Sequence, residues 1–221
     1  VYRFEPIVVE ALWGYEKWIL SSIEGRESIL INSNTTTLSN LVRNEREQLV
    51  GKKVWNKFGA EFPILIKFIH THSQLSIQVH PSDAKAKEMN LKSKRGKTEM
   101  WYVLDAAEGA ELIYGFKEKI SKEEFRQAIE NGTLLDKLNR VKVKKGDLFF
   151  IEAGTVHAIG RGALIAEIQQ NSNCTYRVYD YGRTGKDGKP RELHIDKAVD
   201  VSRTEPPKYD IKPLGDEVSF D

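Results

Sequence analysis

A mainly β protein, built as an antiparallel β-sandwich or barrel with a few attached α-helices, is predicted by three features of the 221-residue chain. Short runs alternate apolar and polar residues, which is the pattern of a half-buried strand. Gly- and Asp-containing turns separate them. Helical patterns are confined to three short segments.

The elements follow in order. Residues 37–50 have Leu38, Leu41 and Val42 at helical spacing, with Thr37 as the N-cap. Glu61–His70 is an apolar strand that enters the next one through a short turn at His72-Ser73. From Leu75 to His80 the alternation sends Leu75, Ile77 and Val79 into a core and sets Ser76, Gln78 and His80 on the opposite face. Residues 81–90 form a short helix. Lys97 to Val103 is a strand rich in Trp, Tyr and Val that puts Lys97 and Glu99 on a shared face. Ser121-Lys-Glu-Glu124 is a capping box that opens a helix over 121–131, with Phe125, Ala128 and Ile129 inward and Asn131-Gly132 as its stop. Strands resume at Arg140–Val143, Asp147–Ile151, Ala163–Gln170 and Thr175–Tyr179. A bend marked by Gly154 delivers His157 to the start of a strand.

No repeat or Ser/Gly-rich linker divides the chain, and its length suits one well-buried core, so residues 1–221 are expected to form a single domain. The 34 basic and 32 acidic residues are interspersed, which argues against nucleic acid as a partner. No apolar run approaches the roughly 20 residues of a membrane span. Cys174 is the single cysteine, so no intrachain disulfide is available and a reducing compartment is the default. The first residues lack the basic and apolar regions of a signal peptide, and a cytoplasmic protein is expected. The run Lys85, Lys87, Lys92, Lys94, Arg95, Lys97 is either a solvated loop or a field that attracts an anion.

His80, Glu99 and His157 are the residues that carry chemistry. Neutral imidazole and carboxylate suit a borderline ion such as zinc, and a catalytic site keeps one position open. One ion is expected on these three, with Gln78 either a fourth, oxygen ligand or a partner of backbone groups.

The stretch from Gly146 through Gly154 to His157 is similar to the second cupin motif, with Glu152 where that motif usually has Pro. More narrowly, LSIQVHP at 75–81, KTEMWYVL at 97–104, GTVHAIG at 154–160 and EIQQNSNCTYRVYDYGR at 167–183 resemble type I phosphomannose isomerase. Leu12-Trp13-Gly14 and the run from Phe62-Pro63 to Phe68 extend the resemblance over residues 4 to about 200. It implies a cupin-type jelly roll and zinc-dependent interconversion of mannose 6-phosphate and fructose 6-phosphate. Its zinc ligands fall on Gln78, His80, Glu99 and His157, its active-site arginine on Arg177, and its polar pocket residues on Ser76, Lys97, Glu167 and Arg183. The chain departs from the pattern at Asn173, commonly Asp, and at Tyr15, often a second Gly. It also stops before the family's C-terminal β-domain.

Aldose–ketose isomerisation moves a proton between adjacent carbons, so it needs a base, stabilisation of two oxygens and an anchor for phosphate. Alternation places Glu167 on the same face as Ile165 and Gln169, where desolvation is expected to raise its pKa and make it a general base. Lys97 is the alternative proton carrier or a phosphate ligand. Arg177 either pairs with Asp180 across a turn or meets substrate. Substrate contacts are thus assigned to Ser76, Lys97, Arg177 and Arg183. His70, His72 and His194 are expected to be structural or exposed, and Cys174 a core filler.

Two other readings stand beside the isomerase: a metal-dependent cupin of another reaction type, such as an iron dioxygenase, and a sugar-phosphate-binding protein without turnover. Lys97, Arg177 and the lack of a tight His-x-His pair favour a sugar phosphate. The oligomeric state, monomer or homodimer, is left open.

Overall fold

A computed structural model describes residues 1–33, 35–92, 94–185 and 187–208, together with the backbone of 212–213. Twelve strands form its two main sheets: β1 (Ile7–Ala11), β2 (Gly14–Leu20), β3 (Ile64–Thr71), β4 (Ile77–Val79), β5 (Glu99–Ala106), β6 (Glu111–Phe116), β7 (Leu138–Lys142), β8 (Asp147–Ile151), β9 (His157–Ile159), β10 (Ala163–Gln170), β11 (Tyr176–Tyr179) and β12 (Lys212–Pro213). The large sheet has the order β12-β8-β5-β10-β3-β2-β1 and the small sheet β7-β6-β9-β4-β11. Every pairing within them is antiparallel.

One core lies between the sheets, where Ile69, Trp101, Val103, Phe149 and Ile165 of the large sheet meet Leu112, Tyr114 and Ile159 of the small one. The other face of the small sheet is covered by helices. Ile77, Val79, Ala158, Tyr176 and Val178 pack there against Phe125, Leu134, Ala198 and Val201. Each fully buried large apolar side chain contributes about 1.5–3 kcal/mol relative to exposure, so the inner layer keeps the sheets stacked and the outer one holds the helices on the small sheet.

Two short strand pairs, Phe4–Glu5 with Ile29–Leu30 and Ser22–Ile23 with Arg26–Glu27, and seven helices complete the described structure: α1 (Leu38–Glu45), α2 (Glu47–Val50), α3 (Lys52–Phe58), α4 (Asp83–Glu88), α5 (Lys122–Glu130), α6 (Leu134–Lys137) and α7 (Ile195–Val201). Thr37 caps α1 by accepting from the Asn40 amide, and Leu38, Leu41 and Val42 are buried as the spacing requires. The predicted single helix over 37–50 is broken, because Arg46 adopts φ 50 and turns the chain between α1 and α2. Ser121 and Glu124 form both halves of the capping box at the start of α5.

Strands β8 and β10 have the predicted bounds, and burial alternates along β10. The turn after β3 is not a hairpin. Strand β3 belongs to the large sheet and β4 to the small one, so the chain crosses from one layer to the other between them. Strands β1, β2 and β6 and helix α7 were not anticipated; the first two alternate, but their inward positions mix Glu16 with apolar residues.

Candidate metal centre and cavity

The site is assembled from two cross-strand rows that face each other. On the small sheet, Gln78 of β4 lies opposite His157 of β9 on one side and Arg177 of β11 on the other. Directly opposed residues of antiparallel strands project from the same face, so the three form one row. On the large sheet the row is Trp18, Lys67, Glu167 and Trp101, from β2, β3, β10 and β5. Glu99 stands next along, opposite Gln169.

His80 follows β4 and is fixed by its backbone. Its carbonyl accepts from the Gly154 amide at 2.8 Å, and the Pro81 carbonyl accepts from the Lys97 amide at 3.0 Å. Gly96 permits that crossing, since a Cβ there would lie 2.6 Å from the Pro81 carbonyl oxygen and 2.5 Å from the Asp83 nitrogen. Gly154 turns the chain into β9 at φ +89, a conformation that L side chains rarely adopt.

His80, Glu99 and His157 are buried, with one ligand atom from each lying within 4.8 Å of the others. His80 Nδ1 is 2.9 Å from the Cys174 carbonyl and His157 Nδ1 is 2.8 Å from the Thr155 carbonyl. A carbonyl only accepts, so each Nδ1 carries the proton and each Nε2 presents a lone pair. Those two Nε2 atoms are 3.1 Å apart. Glu99 Oε1 is 3.2 Å from His157 Nε2, and Glu99 Oε2 is 3.5 Å from His80 Nε2. Among the described residues Oε1 has no hydrogen-bond partner despite its burial.

Three acceptors converge with no proton between the imidazoles, and a cation satisfies that arrangement. Donors bonded at roughly 2.1 Å to a tetrahedral ion are about 3.4 Å apart, close to the spacing found. Burial holds His157 down at about pKa 4, with nearby Lys97 acting the same way, and it drives His80 well below the ordinary value. Both imidazoles are therefore neutral ligands at pH 7. Burial and then Glu167 raise the Glu99 pKa. Gln78 Nε2 lies 3.5 Å from His157 Nε2, so the Gln78 side chain reaches the same point.

Beside this cluster lies a cavity of about 330 Å³ whose lining includes Ser76, Gln78, Lys97, Glu167 and Arg177. Lys97 Nζ donates to Glu99 Oε2 at 2.6 Å and lies 3.2 Å from His80 Nε2 and 3.7 Å from Glu167 Oε1. Burial opposes the Lys97 charge, but Glu167 and Glu99 outweigh it and raise its pKa. Trp101 Nε1 donates to Glu167 Oε2 at 3.0 Å, and Lys67 Nζ is 3.5 Å from Glu167 Oε1 and 3.4 Å from Glu16.

The expected rise in the Glu167 pKa is not found. Burial does push it up, but Lys97 first and then Lys67 and Trp101 push harder the other way, and the pKa is lowered. The Arg177–Asp180 pair is not formed either. Arg177 Nη1 donates to the Glu192 carbonyl at 2.7 Å, and Asp180 takes Arg183 and Arg191 instead. Arg183 also donates to the Gln74 carbonyl at 2.6 Å, and it is not among the cavity lining. Of the basic run, Lys85 pairs with Glu88 and Asp200, Lys92 with Glu24 and Arg95 with Glu61, and Lys97 is the member that lines the cavity.

Lys67, Glu16 and Arg191 line the cavity and were missed. Lys67 had a signal in the sequence: it occupies an inward position of β3 between buried Leu65 and Ile69. Nothing local marks Arg191, which sits in the loop before α7.

The catalytic-domain model of type I phosphomannose isomerase matches residues 14–116. The crystal structure of mannose 6-phosphate isomerase from Bacillus subtilis superposes with TM-score 0.81 at 36% identity, covering 91% of this chain and 68% of that one. The chain belongs to the type I phosphomannose isomerase family. Its sheets accordingly form the family's cupin fold. Among other family members, mannose-6-phosphate isomerase ManA of B. subtilis (strain 168) is 39% identical over 90% of this chain. The mannose-6-phosphate isomerase of Streptococcus mutans is 43% identical over 84% of it. The chain spans 66% of the first of these relatives and 57% of the second.

Proposed function

We propose that the chain is a zinc-dependent mannose-6-phosphate isomerase that interconverts mannose 6-phosphate and fructose 6-phosphate. The observation that carries this reading is the convergence of two proton-free Nε2 atoms and Glu99 at the end of a cavity lined by Lys97, Glu167 and Arg177. Family membership supports the same chemistry.

His80, Glu99 and His157 would hold one zinc ion, with Gln78 as the fourth protein ligand through its amide oxygen. When bound, zinc supplies Lewis-acid stabilisation of charge that develops on the sugar oxygens. Glu167 is the base. The two lysines keep it ionised, and it takes the proton from one sugar carbon and returns it to the neighbouring one. Its lowered pKa makes it a weak base at rest, and Lys97 beside it stabilises the oxyanion side of the enediolate. Arg177 stays charged despite burial and holds negative charge bidentately. Ser76, buried on the same wall, adds a hydroxyl to the sugar contacts. We assign the chain to the cytoplasm and treat residues 1–221 as one catalytic unit.

A coupled assay with mannose 6-phosphate tests this on the 221-residue chain. Turnover that disappears with chelator and returns with zinc is expected. A chain loaded with one zinc and still inert toward mannose 6-phosphate would overturn the catalytic reading and leave a binding protein.

A further inference from the structure

We propose that Arg191 is a second phosphate-holding arginine, which grips the substrate's phosphate together with Arg177. This rests on the sugar-phosphate reading above. Charge accounting is the first argument. Asp180, 5% exposed, is the one buried carboxylate of a cluster that contains Arg177, Arg183 and Arg191. The Glu192 side chain is 82% exposed, so solvent screens most of the offset it gives Arg177. On the opposite wall, Glu16, Glu99 and Glu167 face Lys67 and Lys97, so no excess positive charge lies there. The arginine end of the cavity therefore holds about two uncompensated positive charges, the complement of a phosphate dianion.

Geometry is the second argument. Arg191 and Arg177 line the same cavity, which also reaches Gln78 at the metal centre. Asp180 takes Nε and Nη2 of Arg191, both at 2.6 Å, and among the described residues no hydrogen bond takes its Nη1. The buried Nε of Arg177 has no hydrogen-bond partner among the described residues. Donors held rigidly and left unsatisfied are what an oxyanion needs, because the cost of ordering the side chains has already been met on folding.

Placement is the third. The segment before α7 is laced to β11, with the His194 amide donating to the Arg177 carbonyl at 2.8 Å and the Arg177 amide donating to His194 Nδ1 at 3.1 Å. The Glu192 carbonyl takes Arg177 Nη1 as well. These bonds seat Arg191 beside Arg177 and give His194 a positioning role. Burial first and then Arg191 lower the Arg177 pKa, as expected where positive charge is unbalanced.

Binding of inorganic phosphate, measured by calorimetry on the full chain, tests the assignment without requiring turnover. Arg191→Ala should weaken phosphate at least tenfold, and Arg191→Lys should recover part of the loss. Arg161→Ala, which removes a positive charge from a different cavity, should leave affinity within about threefold. In the coupled assay Arg191→Ala should raise KM for mannose 6-phosphate with kcat changed far less. Phosphate binding by both Arg191 variants equal to the parent chain's, or no saturable binding to the parent chain, would overturn the assignment. Arg191-dependent binding in a chain that fails to isomerise mannose 6-phosphate would keep Arg191 as a phosphate ligand and sink the isomerase reading alone.

Discussion

His80 and His157 face each other across the small sheet with Nε2 atoms 3.1 Å apart, and each donates its only ring proton to a main-chain carbonyl. Two lone pairs at that distance repel, and Glu99 adds a third acceptor. The Lys97 ammonium, 3.2 Å from His80 Nε2 and 2.6 Å from Glu99 Oε2, offsets part of that repulsion, and backbone bonds at Gly154 and Lys97 fix the loops that carry them.

Metal binding should therefore be tight and dependent on Glu99. One divalent ion per chain is expected by elemental analysis, and Glu99→Ala should weaken it at least about a hundredfold, beyond the usual loss for an outer-shell partner. Removing metal should also lower thermal stability; an ion present at 100 times its Kd contributes about 2.7 kcal/mol. Equal metal content in the parent chain and the variant would refute the site.

Glu167→Gln keeps the shape of the side chain and removes its basicity. Turnover should fall at least tenfold, on the scale of roughly 10²–10⁴ that a general base contributes, with zinc content unchanged. Near-normal turnover would rule out Glu167 as the base.

Stability of the metal-free chain should fall in acid, and His157 contributes to the slope. Its pKa is about 4 in the fold against 6.5 ordinarily. Between those values the unfolded chain binds a proton that the native chain refuses, so the contribution is full above pH 6.5 and is lost as pH falls toward 4. The slope from this one group is about 1.4 kcal/mol per pH unit. The raised pKa of Glu99 acts in the opposite direction, so the comparison of interest is with His157→Gln. Urea denaturation in chelator should show the variant's profile flatter by that amount between pH 6.5 and 4.5. Parallel profiles would mean that His157 is not buried as a neutral group.

Lys67 bridges Glu16 and Glu167 with only 5% of its side chain exposed. Lys67→Met leaves two carboxylates short of their partner, and loss of one member of a buried ion pair costs about 3–5 kcal/mol. Lys92→Met, which removes an exposed partner of Glu24, should leave the urea midpoint unchanged. A Lys67 variant as stable as the Lys92 variant would show that the buried ladder is not formed in solution.

The sequence by itself determined what local periodicity can encode. The pleat alternates side chains, so the run from Leu75 to His80 already put Ile77 and Val79 in the core and Gln78 and His80 toward the site. The motifs pointed to the family, and Ser121 with Glu124 announced α5.

Tertiary structure alone decided which groups share a space. Lys67 reaches both Glu16 and Glu167 only because β2, β3 and β10 lie side by side, and the field of two lysines reversed the expected pKa shift of Glu167. Asp180 could have paired with Arg177 by spacing, yet the fold gave it Arg183 and Arg191 and left Arg177 to the cavity. Which way a strand faces is a property of adjacent residues. The charge that a buried group feels is a sum over neighbours brought together from distant parts of the chain, and no local pattern carries that sum.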